Sequence, residues 1–437
     1  MDGEADPAVR PSGAARQPST LASSARSGGR GEAYYIAPLT AMRGIAALLV
    51  VLFHAPMFGF APHFVQISSL PVKGYIWVDF FFMLSGFILS HVHGASFADR
   101  VRGIDVADYL VARFARIYPL HLAVLLALAV VVLASPYVFG EAYPATTGAV
   151  SHELSFRSFL ASLALVQSWP FGGLPTWNAP AWSISCEVAV YFAFPFLALA
   201  LAKGGKIVVW LLVLLWSLIL AATWWKTVPH SISSDYWLLR CAGEFTIGAC
   251  IYAVYAASST PRVLAGDPAG WIIIAVLVVG LQFGLPDIAL LPLLALLLIV
   301  CAVNQGQLAA TLNRPLPQFL GRISYSIYLV HYPLLILLAL TAERLWGRGI
   351  LSHQGPAVRS VLLLLVLPLV LGVAGLAHRH CELPCRTRLV TWWRNRRRGA
   401  TLPRRGLTSV LGGIVTGFKD QAEDLRQRWA ERMGPPR

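Results

Sequence analysis

The sequence predicts an all-α, polytopic integral membrane protein of about ten transmembrane helices, with both termini in the cytoplasm. Composition is the first of three observations behind this. Of the 437 residues 57% are hydrophobic and only 13% charged, and mean hydropathy is +0.63, whereas soluble domains run near ~25% charged. The second is the recurrence of apolar runs close to the ~20 residues that cross a bilayer as a helix. The third is the one-sided placement of the cations, since cytoplasmic loops carry the Lys/Arg excess.

The apolar runs fall near 38–57, 75–93, 118–138, 181–202, 207–225, 238–257, 270–284, 286–303, 323–342 and 357–378. The pair within 270–303 is short, with only Gly284–Asp287 between its halves, and Phe159–Trp169 is too short to span, so it reads as re-entrant or interfacial. With ten spans, Arg100, Arg102, Arg113 and Arg116 share one cytoplasmic loop, Lys203 and Lys206 a second, Arg314 and Arg322 a third. The opposite loops hold Lys73, Arg157, Lys226 and a weaker cluster of Arg344, Arg348 and Arg359. The net charge of +14 therefore reads as topology and attraction to membrane lipid, and not as nucleic-acid binding.

Residues 1–33 are rich in Ala, Ser, Gly and Arg without an apolar run, and read as a disordered tail and not as a signal peptide. Residues 34–386 form the membrane domain. Residues 387–437 form a basic cytoplasmic tail, in which 407–432 could make an amphipathic surface helix. Glu382-Leu383-Pro384 is expected to stop the last helix at the membrane edge, and 386–405 to lie against anionic lipid. The six cysteines lie mostly inside spans, which implies no disulfide framework. The spacing of His378, His380, Cys381 and Cys385 matches no standard zinc pattern, so no metal is expected.

The candidate chemistry sits in ionisable residues at membrane depth, which are costly there and face a protein interior or a polar cavity. The first span, LTAMRGIAALLVVLFHAP, carries Arg43 and His54 on one helical face, roughly 16 Å apart at about 1.5 Å per residue. The second carries Asp79 and the Ser85-Gly86 pair, whose small size admits either a neighbouring helix or a ligand. Arg113 and Arg116, at i and i+3, present two guanidinium forks suited to phosphate, or serve only as positive-inside charge. Trp182 and Glu187 follow in WSISCEVAVYF, where Glu187 either holds a histidine in one tautomer or pairs with an arginine such as Arg240. Arg240 and Glu244, at i and i+4, are expected to neutralise each other. Ser324, Tyr328 and His331 form a polar stripe on the ninth span.

Taken in order, MRGIAALLVVLFH, WVDFFFMLSGFIL, RFARIYP, WSISCE, GRISYSIYLVH and CELP resemble the membrane acyltransferases of family 3, over roughly Leu39–Arg386. That family O-acylates surface polysaccharides and related acceptors. The resemblance implies transfer of an acyl group, expected to be acetyl, from cytoplasmic acyl-CoA to a hydroxyl of a cell-surface or exported polysaccharide or its lipid-linked precursor. The setting would be the plasma (inner) membrane, and acyl-CoA would serve as donor substrate without a bound cofactor. It also implies a central role for His54 with Arg43, a donor site at Arg113 and Arg116, and a place for Ser85-Gly86 in the donor site. Glu187 would be catalytic, and Asp79, Trp182, Tyr328 and His331 would line the acceptor path. Val188 stands where many members have a second acidic residue, which puts a paired-carboxylate role in doubt. His54 would act as base or as transient acyl carrier, oriented by Glu187 or Asp79. The alternative is a multi-span secondary transporter with a buried Arg/His/Glu pathway, although no internal repeat supports it.

The cation asymmetry makes a topological prediction. A cysteine placed at position 150 should react with an impermeant maleimide from outside the cell, and labelling only after permeabilisation would reverse the assignment.

Overall fold

The computed structural model describes residues 35–397, apart from 62, 140–153, 171–176, 227–235, 258–259 and 348. The expected N-terminal tail, about half of the large outer loop expected over 139–179 (residues 140–153 and 171–176), and the 407–432 segment lie outside the described residues. Among the described residues every regular element is helical. In chain order these are α1 (Ala37–His54), α2 (Phe64–Ile67), α3 (Ser69–Val72), α4 (Trp77–Phe97), α5 (Gly103–Phe139) and α6 (Phe156–Leu163). Then come α7 (Trp182–Lys226), α8 (Trp237–Ala256), α9 (Asp267–Gln282), α10 (Asp287–Val303) and α11 (Gln307–Leu312). The last are α12 (Pro315–Trp346), α13 (Ile350–His353), α14 (Pro356–Ala377) and α15 (Leu383–Arg397).

Seven of these stretches are long and apolar enough to cross a membrane, and α9 and α10 are shorter apolar helices. The loop expected between the fourth and fifth apolar runs is a single non-helical residue, Gly205, at φ 58° and ψ −153° inside α7. Only glycine takes that backbone without a Cβ penalty. Many large apolar side chains, including Leu211, Leu214 and Leu218 on α7 and Leu364 and Leu365 on α14, are exposed. They present hydrocarbon to lipid, as the outer surface of a multi-pass protein requires.

Two helix pairs approach at backbone contact. A Cβ on Gly44 of α1 would lie 2.4 Å from the backbone nitrogen of Gly321 on α12, and a Cβ on Gly321 would lie 2.1 Å from the carbonyl oxygen of Thr40. Gly86 of α4 and Gly248 of α8 repeat the arrangement: their Cβ atoms would fall 1.9 Å from the carbonyl oxygens of Phe245 and Met83. Small residues drive such packing in membranes, where no hydrophobic effect separates helix from lipid. α1 and α12 run parallel, tied in sequence order by Gln318 Nε2 donating to Ala37 O at 2.8 Å, Arg43 to Ser324 Oγ at 2.9 Å, and His54 facing His331.

Proline sets one further link. Pro333 inside α12 has no N–H to give the carbonyl of Leu329, and Asn178 Nδ2 donates to that oxygen at 3.1 Å instead. The short segment after α6 is folded onto α7, with Trp169 Nε1 donating to Ser185 O at 3.0 Å.

The end of the bundle differs from expectation. Glu382-Leu383-Pro384 does not stop the helix: α14 passes through a π-helical turn, His378–Glu382, into α15, where Pro384 occupies the first turn. Proline offers no N–H to the helical carbonyls before it, and the wider turn gives its ring room beside them. Part of the basic tail is also committed to protein, since Trp393 Nε1 donates to Asp108 Oδ1 at 2.7 Å and Arg397 pairs with the same carboxylate.

The α1–α12 contact predicts that Gly44→Val lowers the melting temperature and yield of detergent-solubilised protein, because backbone atoms of α12 must move. Gly372→Val on α14, where an added Cβ meets nothing within 4 Å, should leave both unchanged.

Candidate active site

Two polar stations sit along α1. The first is a cavity of about 130 Å³ at the Arg43 end, lined among others by Arg43, Ser85, Arg113, Arg116, Glu187 and Tyr328. Arg43 is fixed by α12: besides Ser324, it donates from a terminal nitrogen to Gly321 O at 3.2 Å. Ser85 Oγ donates to Glu187, so this carboxylate is held by α4. Tyr328 shares a hydrogen bond with Ser183 Oγ at 2.7 Å and donates to Pro180 O at 2.9 Å.

The paired arginines are not equivalent. Arg116 forms an ion pair with Glu382, which also accepts from Ser326 Oγ at 2.7 Å and faces His378 Nδ1 at 2.9 Å. One of the two expected forks is therefore engaged by a buried carboxylate. Arg113 lines the cavity with its Nε buried and without a hydrogen-bond partner, and a terminal nitrogen lies 3.4 Å from His93 Nε2. A cationic donor left open beside a cavity is what an anionic ligand group would complete.

The second station is His54, three turns along. Its Nδ1 lies 3.0 Å from Val50 O and 3.2 Å from His331 Nε2, and its ring packs edge-on to Phe53 and Tyr332. Neither Glu187 nor Asp79 is hydrogen-bonded to it, so the expected carboxylate–histidine pairing is corrected to a pair of imidazoles.

Other sequence-predicted residues belong to the scaffold. Asp79 is fully buried and takes Arg240 in a two-pronged ion pair, the second contact at 2.5 Å. Glu244 stands 3.6 Å from the same guanidinium. The expected Arg240–Glu244 neutralisation is thus secondary, because the α4 carboxylate meets the fork with both oxygens. Trp182 stacks near Trp237, ring centroids 4.7 Å apart, with the Arg240 guanidinium 6.0 Å from its ring. Gly86 packs against α8 and does not line the cavity. No local pattern signals that Asp287 is a buried partner of Lys73 at 2.8 Å and of Tyr75, or that Glu382 completes Arg116.

Comparison with known proteins shows the family. A family model described as an acyltransferase domain matches residues 36–378. The chain belongs to that family, acyltransferase family 3. Among curated relatives, the acyltransferase MdmB of Streptomyces mycarofaciens is 36% identical over 167 residues, 36% of this chain and 38% of that protein. Protein 2 in the picA locus of Rhizobium radiobacter is 35% identical over 161 residues, 35% of this chain and 76% of its own. The peptidoglycan O-acetyltransferase OatA of Listeria monocytogenes is 22% identical over 432 residues, covering 88% of this chain and 63% of OatA. The chain thus matches well under two thirds of MdmB and just under two thirds of OatA. No solved structure matches. A family of acyltransferases does not favour the transporter alternative.

The inequality of the arginines is testable on stability alone. Arg116→Gln takes the arginine from Glu382, 1% exposed, leaving it only Ser326 and His378, and should cost about 3 kcal/mol, read as a fall in thermal stability that Glu382→Gln partly restores. Arg113→Gln removes no ion pair and should melt like the native protein.

Proposed function

We propose that this protein is an integral membrane O-acyltransferase that moves an acyl group, acetyl in the first instance, from cytoplasmic acyl-CoA to a hydroxyl of an extracytoplasmic polysaccharide or its lipid-linked precursor. One observation carries the reading: α1 bears a basic cavity at one end and an imidazole three turns away, both fixed by α12. A donor held by its phosphates at the first station presents its thioester along an extended arm toward the second. The two substrates thus meet inside the bundle from opposite faces of the membrane. The plasma (inner) membrane, a cytoplasmic position for both termini and ten crossings belong to the same reading. Parallel α1 and α12 need an odd number of crossings between them, and dividing α7 at Gly205 supplies seven. The name of the peptidoglycan O-acetyltransferase relative supports acetyl as the group and a wall glycan as the class of acceptor.

In this mechanism Arg113 takes the donor phosphates, with Arg43 holding positive potential beside them. His54 takes the proton of the acceptor hydroxyl as its oxygen attacks the thioester carbonyl, and returns it to the departing thiolate. Glu187, held by Ser85, keeps the cavity wall polar between the stations. A neutral imidazole is the natural base for this work at physiological pH.

The test is transfer of labelled acetyl from acetyl-CoA to glycan in membranes, at equal protein level. His54→Ala should insert normally and lose roughly 10²–10⁴-fold in transfer, the usual worth of a general base. His54→Gln should do no better, because an amide cannot accept the proton. Arg113→Gln should weaken acetyl-CoA binding by about 1.5–3 kcal/mol, and Arg113→Lys should recover only part, since an ammonium does not fork. Native-level transfer by His54→Gln would remove His54 as the base. A protein that transfers acetyl to no acceptor yet moves a solute would overturn the whole reading.

A further inference from the structure

His331 is not used in the mechanism above, yet it is fully buried and touches the base. Three distances decide what it does. His331 Nδ1 lies 3.1 Å from Ile327 O, His54 Nδ1 lies 3.0 Å from Val50 O, and His331 Nε2 lies 3.2 Å from His54 Nδ1. A carbonyl oxygen can only accept, so each Nδ1 that faces one must carry the proton. With its proton on Nδ1, neutral His331 has a bare Nε2, and that lone pair points at His54 Nδ1–H. The opposite assignment would set two lone pairs against two carbonyl oxygens, which is costly for polar atoms packed between helices. All three contacts are satisfied by one arrangement of protons.

We infer that His331 is a positioning residue which, with the Val50 carbonyl, locks His54 in the Nδ1–H tautomer and leaves Nε2 bare as the basic atom. This deepens the acyl-transfer reading and rests on it for its consequence, though not for its geometry. When Nε2 takes the hydroxyl proton, the positive charge spreads to Nδ1–H, which already donates to two acceptors. The imidazolium is therefore stabilised where it forms, and no group reorganises. The neutral imidazole does the holding that a carboxylate does in a serine-type triad, without placing a net negative charge in the membrane. Lining the acceptor path, the role the sequence indicated for His331, does not account for a side chain buried to this degree.

Two amide variants separate this role from others. In His331→Gln the side-chain oxygen takes the place of Nε2 and still accepts from His54. In His331→Asn the shorter side chain reaches only the Nδ1 position and leaves His54 Nδ1 with Val50 alone. The ¹⁵N spectrum of histidine-labelled protein in bilayers, with His54 assigned by its loss in His54→Ala, reads the tautomer directly. Wild type and His331→Gln should show His54 protonated at Nδ1 and bare at Nε2, while His331→Asn and His331→Ala should show mixed tautomers. In transfer assays His331→Asn and His331→Ala should lose at least roughly tenfold in kcat, a part of what a base supplies. KM for acetyl-CoA should be unchanged, and His331→Gln should keep most of the rate. A proton on His54 Nε2 in the wild type would overturn the inference. So would a His331→Gln protein as inactive as His331→Ala, which would make His331 a proton carrier in its own right. Because the spectrum needs no turnover, a wild type without acyl transfer would sink the functional reading while the tautomer was still decided. If His331→Ala does not fold, the Gln and Asn pair carries the comparison.

Discussion

The backbone contact between α1 and α12 at Gly44 and Gly321 is the constraint on which the functional half of this protein depends. Two helices on which an added Cβ would fall 2.4 and 2.1 Å from the other's backbone can approach only where both lack a side chain. Once they are that close and parallel, the residues flanking the contact have no choice of neighbour. Arg43, beside Gly44, meets Ser324 and the Gly321 carbonyl, and three turns later His54 meets His331. Both stations therefore follow from one steric fact.

Around that pair the bundle handles charge by commitment. Three buried carboxylates each take a cation from a distant part of the chain: Asp79 has Arg240, Asp287 has Lys73, Glu382 has Arg116; Glu244 shares Arg240 on its own helix. Such pairs gain little net stability against apolar replacements, but losing one partner is costly, so they fix which helices can be neighbours. Against this background the uncommitted groups stand out. Arg113 has an unpartnered nitrogen beside the cavity, and His54 keeps one nitrogen free of protein. These are the places where a substrate adds an interaction the fold withholds.

Irregular backbone is used in the same economical way. Gly205 redirects α7 with a single residue, Pro333 releases a carbonyl that Asn178 takes, and a π-helical turn lets α14 continue past Pro384 so that Glu382 reaches Arg116. Each departure from the regular helix is met by a named partner or a residue without a Cβ, as a medium without free water demands.

The sequence alone determined the class of fold, since 20-residue apolar periodicity and low charge permit only a helical membrane bundle, and Arg43, His54, Arg113 and Glu187 were legible as ionisable residues in apolar context. Its six ordered motifs were enough to indicate the family. What it could not determine was pairing. Local spacing makes Arg240 and Glu244 neighbours, whereas Asp79, 161 positions away, takes the guanidinium with both of its oxygens. His54 was given a carboxylate partner by chemical analogy and has an imidazole instead, because 277 positions separate it from His331 and no local pattern links them. Gly44 and Gly321 look unremarkable in a glycine-rich chain. Only the tertiary structure shows them opposed, because backbone contact between helices is a property of two surfaces, and a sequence displays one surface at a time.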